Sequence, residues 1–368
     1  MYPVYGCLCF AVPSKLLRKL AARGHETDRL SLSEHIQSTD HLRAQRSVLA
    51  VQTAKTTVAN NVDRSHPSPL IPAYYRTIFD AGSTTTLPGK LLRTEGGKPT
   101  GDVAANQVYD NTGIALEFYL KIFGRRSIDN QGMKVESAIH FGSRFSNAMW
   151  AGDRMIYGDG DQQVSGFTGS LDIIAHELTH GVLQYLIPGG LGVYRLLVKK
   201  REFKGQTHAL KGQSGALNES FSDVFGSMVK QWHAGERVTQ ASWVLGEHVL
   251  APQYGKAIRS LKDPGNRQLT WYEDDQFKTM DQLTDGADVH DSSGIPNHAF
   301  YLVAKKLGGF SWDRAGLIWY EAFAKLKPKA SFLDAANATR RVAALRFGNT
   351  SKEFAAVAAA WKAVKVTT

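Results

Sequence analysis

The chain has 368 residues, of which 43% are hydrophobic and 21% are charged, as in ordinary globular proteins. This composition excludes a wholly disordered, collagen-like or coiled-coil chain, and the length favours two or more lobes. The net charge is +10, but most of the excess lies in residues 1–73 and 187–213, and the rest of the chain holds 29 basic and 28 acidic residues. We therefore expect no nucleic-acid-binding face on the main domain.

The two cysteines, Cys7 and Cys9, lie too close together in the chain for an ordinary structural disulfide. No apolar run approaches the roughly 18 residues that span a bilayer. The N-terminal apolar stretch precedes basic residues, which reverses the order found in secretory signal peptides. The sequence thus predicts no disulfide framework, no membrane span and no recognisable signal peptide.

In chain order, the first predicted element is a helix over residues 14–24, with Ser14 as its N-cap and Gly24 as its end. The chain from there to about residue 73 is polar and ends in three prolines, as linkers and cleavable junctions do. We place a boundary near Pro72 and treat residues 1–73 as separate from the main domain.

The main domain changes character along its length. Its first part, residues 74–170, holds short β-type runs and one predicted helix from Gly113 to Phe123. The β-type runs are residues 138–143 and 154–161. Its second part, residues 171–368, has helical apolar periodicity, including the stretches 296–307 and 353–364. This order predicts an α+β fold with a β-rich N-terminal lobe, an α-helical C-terminal lobe and the active-site helix between them.

The sharpest feature is a pair of histidines, His176 and His180, within an apolar-periodic helix. Their i, i+4 spacing puts both imidazoles on one helix face, at the separation that two ligands of one Zn²⁺ need. Glu177 lies about 100° around the helix and can reach a metal-bound water rather than the metal. Alone, this pattern fits two buried histidines that bind no metal equally well. A zinc site therefore requires a third ligand elsewhere in the chain.

Glu219 is the candidate third ligand, on a second predicted helix. Glu219 and Asp223 are again spaced i, i+4, so one can bind the metal while the other accepts a proton from a ligand imidazole. Apolar residues surround both positions, which argues against an exposed acidic face. The sequence therefore predicts a metal site with two histidines and one carboxylate.

From about residue 74 the sequence resembles the thermolysin family of zinc metallopeptidases, and in particular its short-propeptide, protealysin-like members. The motifs that carry the resemblance are residues 147–150, 157–161, 176–180, 215–226, 258–264 and 285–302. The resemblance implies a two-lobed, thermolysin-like fold. It also implies a zinc endopeptidase that hydrolyses peptide bonds through a metal-activated water.

By this resemblance His176, His180 and Glu219 bind one catalytic zinc ion. Glu177 is implied to be the general base, which takes the proton of the water and later delivers it to the leaving amine.

Four more residues are implied to support the chemistry. Asp223 orients the first zinc-binding imidazole, and Asn218 supports the second. His290 donates a hydrogen bond to the tetrahedral oxyanion, with Asp285 holding its tautomer and charge. Asp288 is nearer to His290 in sequence, but the family pattern favours Asp285.

Substrate-binding groups are also implied. Asn147 and the backbone of Ala148 resemble edge-strand groups that bind an extended peptide through its main chain. Arg259 resembles the arginine that binds the substrate carbonyl beside the pocket for the residue after the scissile bond. Because Ile173 and Ile258 lie near that pocket, we expect a preference for an apolar residue such as Leu or Phe there.

An insertion departs from the family pattern. His180 and Glu219 are 39 positions apart, where the family has about 20. The extra residues fall in the basic stretch 187–213 and interrupt the place of a tyrosine that is the family's second oxyanion donor. Counting back from Glu219 puts Leu210 there, and Tyr194 is a candidate substitute from inside the insertion.

Three explanations of the insertion stay open: a tolerated surface loop, a regulatory or partner-binding loop, and non-native coding such as a retained intron. The corresponding alternative function is a zinc-binding scaffold or interaction protein whose catalysis the insertion disables. Retention of Glu177 and His290 favours the enzyme, because metal binding alone needs neither residue.

A second departure concerns calcium. Asp172 and Glu247 resemble two carboxylates of the family's double calcium site, but Lys230, Ser242 and Val244 stand where other ligands belong. An ammonium at Lys230 could replace a cation by pairing with Glu247. We therefore predict that the calcium pair is absent or greatly weakened.

The start of the chain resembles the family's short propeptide. We predict that residues 1–73 are an inhibitory pro-segment that the enzyme itself removes. Cys7 or Cys9 could approach the zinc as a thiolate, or could be buried as small apolar residues. The expected partners are peptide or protein substrates and the pro-segment, and the resemblance implies that the enzyme acts outside the cell.

Overall fold

A computed structural model of the chain describes residues 10–23, 74–200 and 203–367. The β-rich lobe is built on a five-stranded sheet. Its strands are β1 (Tyr75–Asp80), β2 (Lys90–Thr94), β3 (Lys134–Ile139), β4 (Ala148–Trp150) and β5 (Arg154–Tyr157). The predicted β-type runs therefore correspond to the end of β3 and to β5.

The sheet has the strand order β2-β1-β3-β5-β4, with β1, β3 and β5 parallel and the two outer strands antiparallel. Side chains of a strand alternate between the two faces of a sheet. Ala148 and Trp150 accordingly join the main hydrophobic core, whereas Met149 and Ile156 belong to a second apolar cluster on the outer face. Within the sheet, β4 is an edge strand, and the predicted metal site lies beside it.

Helix α2 (Val103–Phe123) begins ten residues before the predicted start at Gly113. Asp102 caps its first turn by accepting a hydrogen bond from the backbone of Ala105 at 2.9 Å. Gly113 lies in mid-helix, where a Cβ atom would come within 2.1 Å of the Arg76 guanidinium. This glycine therefore serves close packing rather than a helix boundary, and the prediction of a boundary there was wrong.

The second lobe is helical, as predicted. Its helices are α3 (Leu171–Leu186), α4 (Gly212–Ala234), α5 (Val289–Ser292), α6 (Gly294–Leu307), α7 (Arg314–Phe323), α8 (Phe332–Phe347) and α9 (Lys352–Ala363). Helices α3 and α4 pack closely because Gly226 has no side chain, and a Cβ atom there would lie 2.6 Å from the carbonyl oxygen of Asp172. A short ladder joins β8 (Val244–Leu245) to β9 (Arg259–Ser260).

The predicted insertion forms a β-hairpin between α3 and α4. Its strands β6 (Val193–Lys200) and β7 (Phe203–Leu210) are antiparallel, with Val193 paired to Leu210 at the base. The two zinc-motif helices thus keep their contact, and the hairpin emerges from their connection.

Helix α1 (Ser14–Arg23) packs against the helical lobe through Leu16 and Leu20, which are buried in the main core. Lys15 forms ion pairs with Asp275 and Asp291, both at 2.6 Å. Ser14 is the first helical residue rather than the predicted N-cap. The predicted helix end at Gly24 and the two cysteines lie outside the described residues.

None of the helices in the described ranges is long and apolar enough to cross a bilayer.

Candidate active site

Helices α3 and α4 bring the three predicted zinc ligands together. The Nε2 atoms of His176 and His180 are 3.1 Å apart, and each lies near a carboxylate oxygen of Glu219, at 3.5 and 3.7 Å respectively. Among the described residues, these three form the one group of His, Cys, Asp and Glu side chains close enough to share a metal ion. Tetrahedral ligands about 2.1 Å from zinc are roughly 3.4 Å apart, so the observed spacing fits this ion.

The chemistry of this donor set also fits a cation. Both Glu219 oxygens are buried and have no hydrogen-bond partner within the described parts of the chain. Burial favours the neutral carboxyl, but His290 and the two zinc-motif imidazoles outweigh it and lower the pKa of Glu219. Burial lowers the pKa of His180 to about 4, which keeps this imidazole neutral, as a metal ligand must be.

The groups behind the imidazoles lie where they were predicted. His176 Nδ1 is 2.9 Å from Asp223 Oδ1, and His180 Nδ1 is 2.7 Å from Asn218 Oδ1. The hydroxyl of Ser222, which the sequence analysis did not single out, lies 3.0 Å from the same nitrogen of His180. These contacts leave the Nε2 atoms of both rings directed towards the shared centre.

Glu177 is fully buried beside the three ligands. Its Oε2 accepts a hydrogen bond from the backbone N–H of Trp150 on β4 at 2.8 Å, whereas its Oε1 has no partner among the described residues. Burial raises the pKa of Glu177 well above its usual value, and the charge of Glu219 adds to this effect. The carboxyl group is therefore held in place at one oxygen and able to take a proton at the other.

His290 also reaches the centre, but its predicted carboxylate partner was wrong. Its Nδ1 lies 2.8 Å from Asp288, whereas Asp285 is exposed. Asp288 is the N-cap of α5, so its side chain folds back over the first turn and also accepts the backbone N–H of His290. Although burial opposes the charge, Glu219 and Asp288 raise the pKa of His290 to about 9.

Asp223 is the centre of a buried polar network. Arg259 donates to both of its oxygens, at 2.8 to 3.1 Å, and Asn297 donates to Oδ2 at 2.9 Å. Both partners are buried, since Arg259 is 2% exposed and Asp223 is 0% exposed. Arg259 and Asn297 both lie in the sequence motifs, but the motifs did not indicate that both contact Asp223. Arg259 is 36 positions from Asp223 in the chain, and Asn297 is 74 positions from it.

A segment of the chain itself lies along the edge strand. Val12 donates its N–H to Asn147 Oδ1 and accepts a hydrogen bond from Asn147 Nδ2, both at 2.9 Å. Ala11 donates to the carbonyl of Ala148 at 3.1 Å and accepts from Arg259 at 3.2 Å. The residues predicted to bind a substrate backbone thus hold the backbone that precedes α1.

Comparisons with known proteins agree with this geometry. The family model described as "Thermolysin metallopeptidase, catalytic domain" matches residues 37–184, and the one described as "Thermolysin metallopeptidase, alpha-helical domain" matches residues 208–366. The chain is 37% identical to the Extracellular metalloprotease of Pectobacterium carotovorum subsp. carotovorum over 98% of its own length and 96% of that protein. The chain belongs to the thermolysin family of metallopeptidases.

Other relatives support the same assignment. The Protease PrtS of Photorhabdus sp. (strain Az29) is 39% identical over 71% of this chain and 68% of that protein. The precursor of protealysin, a metalloproteinase from Serratia proteamaculans, has a TM-score of 0.77 and 34% identity, covering 98% of this chain and all of the other. The peptidase therefore has the predicted thermolysin-like α+β fold, and it is a metalloendopeptidase of the protealysin-like type.

The remaining predicted site residues of the peptidase lie around the cleft. Ile258 lines a cavity with Arg259 and Leu16, and Ile173 is buried one turn of α3 before His176. Leu210, at the end of the hairpin, packs against Gly215, one turn of α4 before Glu219. The side chain of Tyr194 lies outside the described residues.

Asp172 and Glu247, the two carboxylates that resemble calcium ligands, form an ion-pair cluster with Lys230. Lys230 Nζ lies 2.8 Å from Glu247 and 3.5 Å from Asp172. Burial opposes the charge of this ammonium, but the two carboxylates outweigh it and raise the pKa of Lys230.

Proposed function

We propose that this metalloendopeptidase cleaves peptides at the centre formed by His176, Glu177, His180, Glu219 and His290. His176, His180 and Glu219 would hold the zinc ion. When bound, this ion polarises a carbonyl group and lowers the pKa of water. The observation that carries the proposal is a cluster of buried acceptor and donor atoms beside the edge strand, several of which have no hydrogen-bond partner among the described residues.

Glu177 and His290 divide the proton chemistry between them. Glu177 Oε1 accepts the proton of the attacking water and delivers it to the amide nitrogen that leaves. His290 Nε2, which has no hydrogen-bond partner within the described residues, donates to the oxygen that becomes negative as the carbonyl is attacked. Asp288 supports this role because it holds Nδ1 and favours the charged ring.

We also propose that the peptidase is made as a zymogen whose pro-segment comprises residues 1–73. Support comes from Ala11 and Val12, which occupy the hydrogen-bonding groups of the cleft, and from α1, which is fixed by the ion pairs of Lys15. A substrate backbone needs the same groups, so this segment has to leave before a substrate can bind.

Two further features of the proposal concern the substrate and the place of action. The apolar surroundings of Ile258 and Ile173 support a preference for Leu or Phe after the scissile bond. The name of the Pectobacterium relative supports action outside the cell.

The proposal is tested with an internally quenched peptide that has Leu after the scissile bond. We expect the full chain to gain activity as its N-terminal segment disappears, followed by mass spectrometry. We also expect a zinc chelator to abolish hydrolysis and added Zn²⁺ to restore it. A processed, zinc-loaded chain that hydrolyses no peptide would contradict the proposal and favour a scaffold disabled by the hairpin.

For calcium, we propose that the Lys230 ammonium takes the place of bound cations between Asp172 and Glu247. Isothermal titration is expected to show no tight binding of two Ca²⁺ ions. The Lys230→Ala variant is expected to bind calcium more tightly than the natural chain, because the two carboxylates then lose their cation. Tight binding of two ions by the natural chain would contradict this proposal.

A further inference from the structure

A group of carboxylates beside the cleft holds two lysines of the N-terminal segment. Lys15 Nζ lies 2.6 Å from Asp275 Oδ1 and 2.6 Å from Asp291 Oδ2. One helical turn later, Lys19 Nζ lies 3.0 Å from Glu273 and 3.8 Å from Asp275. We call Glu273, Asp275 and Asp291 the acidic site. Among the described residues, the cations that pair with Asp275 and Asp291 are these two lysines of α1.

The acidic site borders the cleft. Asp291 directly follows His290 in the chain, and both residues line a cavity together with Lys15, Gln276 and Arg259. Gln276 is 5% exposed and donates through Nε2 to the carbonyl of His290 at 2.7 Å. Its Oε1 is buried and has no hydrogen-bond partner among the described residues. The cavity therefore offers an amide oxygen beside the carboxylates, and such a set of acceptors suits a side chain with several N–H donors.

Removal of the N-terminal segment would leave these acceptors without a cation. The Asp291 side chain is 17% exposed, and burial raises its pKa, an effect that Lys15 opposes. Burial likewise opposes the charge of Lys15, but Asp275 and Asp291 outweigh it and raise the pKa of Lys15. The ammonium and the two carboxylates thus stabilise each other in the charged form. A cation from another molecule would meet the same need once Lys15 has left.

The path of the N-terminal segment places the acidic site relative to a substrate. Arg259 donates to the carbonyl of Ala11, and it is predicted to bind the substrate carbonyl beside the pocket for the residue after the scissile bond. We therefore take Ala11 to stand for that first residue, and Lys15 then stands for the fifth. A helix advances about 1.5 Å per residue and an extended chain about 3.3 Å. An extended substrate would accordingly reach the acidic site with its third, fourth or fifth residue.

We propose that the acidic site of the processed enzyme binds a Lys or Arg side chain of the substrate, three to five residues after the scissile bond. This inference rests on the proposed function, because it requires a substrate to follow the path of the N-terminal segment. The preferred substrates are then peptides with a basic residue shortly after the cleaved bond. Asp and Glu are disfavoured there, because they would meet like charges.

The test compares quenched peptides that share Leu after the scissile bond and have Lys, Gln or Glu at the third, fourth or fifth position. The enzyme is the full chain, incubated until its N-terminal segment is removed. We expect kcat/KM to be roughly three- to tenfold higher for the best-placed Lys than for Gln, because the cation meets two carboxylates. Glu is expected to be worse than Gln. Equal rates for Lys and Gln at all three positions would overturn the proposal.

Salt provides a check that needs no variant. The Asp275 side chain is 42% exposed, so solvent ions reach this part of the acidic site. At about 1 M salt the ratio of Lys to Gln peptides should fall to within about twofold, because the Debye length is then only about 3 Å. A ratio that does not change with salt would contradict an electrostatic origin and overturn the proposal.

Two variants locate the preference. Asp275→Asn is expected to reduce the ratio of Lys to Gln peptides by at least about half. Asp281→Asn is the matched control, because Asp281 is also an exposed partner of a lysine, Lys365 at 2.7 Å, and it should leave the ratio unchanged. Both peptides are measured on one preparation, so a loss of folded enzyme cancels in the ratio. The natural ratio in Asp275→Asn would overturn the assignment.

A binding measurement separates this inference from the proposed function. If the processed natural enzyme hydrolyses no peptide, the proposed function has failed. Fluorescence anisotropy of the labelled Lys and Gln peptides, with a zinc chelator present to prevent hydrolysis, still tests the acidic site. A lower Kd for the Lys peptide would support the site, and equal Kd values would overturn it.

Discussion

Glu177→Gln is expected to lower kcat for peptide hydrolysis by about 10²- to 10⁴-fold without removing the zinc ion. The amide keeps the size of the carboxyl group but cannot accept the proton that the water loses. The proposed zinc ligands are His176, His180 and Glu219 and do not include Glu177, so bound zinc should stay at one ion per chain. Initial rates with a quenched peptide and the zinc content of the purified protein measure the two effects separately.

Glu117→Gln is the matched control. Glu117 lies on the surface of α2, where it forms an i, i+4 ion pair with Lys121 at 2.7 Å. Exposed pairs of this kind contribute about 0.3–0.5 kcal/mol, so neither activity nor zinc content should change. Retention of half the natural activity by Glu177→Gln would show that another group moves the proton. A loss of zinc would instead make Glu177 part of the metal site.

The sequence predicted the clustering of His176, His180 and Glu219 well because much of their geometry is local. A helix fixes the relation of His176 to His180, and a second helix fixes that of Glu219 to Asp223. Only the packing of the two helices against each other depends on the tertiary fold. Gly226 allows their close packing because it has no side chain. Spacing within a helix is the signal that a single sequence carries most strongly.

The partner of His290 shows where transfer from a family pattern failed. The pattern favoured Asp285, whereas a reading of the local residues would have favoured Asp288 as an N-cap two positions before the histidine. A capping carboxylate lies beside the first turn of its helix whatever the rest of the fold does. In this case local chemistry was the better guide.

Helices α7 and α8 were not among the predicted elements. Helix α8 does have an apolar stripe at helical spacing. Its buried positions are Phe332, Ala335, Ala336, Thr339, Val342 and Ala343. Alanine and threonine dominate this stripe and give a weak hydrophobic signal, so the helix is identified mainly by its packing and by the capping box of Ser331 with Asp334.

The resemblance predicted that Asn147, Ala148 and Arg259 bind a peptide backbone, but not that they hold Ala11 and Val12 of the chain itself. Hydrogen bonds from Val12 to Asn147 and from Arg259 to Ala11 join residues 135 and 248 positions apart. No periodicity or spacing records such a pairing. The residue types indicate which groups can donate or accept hydrogen bonds, but the tertiary fold determines which of them pair.

Arg259→Met is expected to lower the free energy of unfolding by about 3–5 kcal/mol, the cost of leaving a buried charge without its partner. Asp223 is fully buried, which opposes its charge, but Arg259 and His176 outweigh burial and hold the pKa of Asp223 far below the usual range. Methionine fills much of the same volume, so the effect reports the lost charge rather than a cavity. A urea titration of zinc-loaded protein measures it.

Arg346→Met is the matched control, because Arg346 also pairs through two nitrogens with a carboxylate, that of Glu321, but on the surface. Exposed pairs contribute at most about 1 kcal/mol, so this variant should unfold almost like the natural chain. Equal losses in the two variants would refute the burial argument.

Adding Asp223→Asn to Arg259→Met separates stability from catalysis. The amide carries no charge, so part of the lost stability should return in the double variant. Peptide hydrolysis should stay low, because this amide would not balance the charge of a zinc-bound His176. Methionine also cannot replace the Arg259 guanidinium, which is predicted to bind the substrate carbonyl. Stability that recovers without activity would show that this pair of charged residues contributes to hydrolysis as well as to the fold.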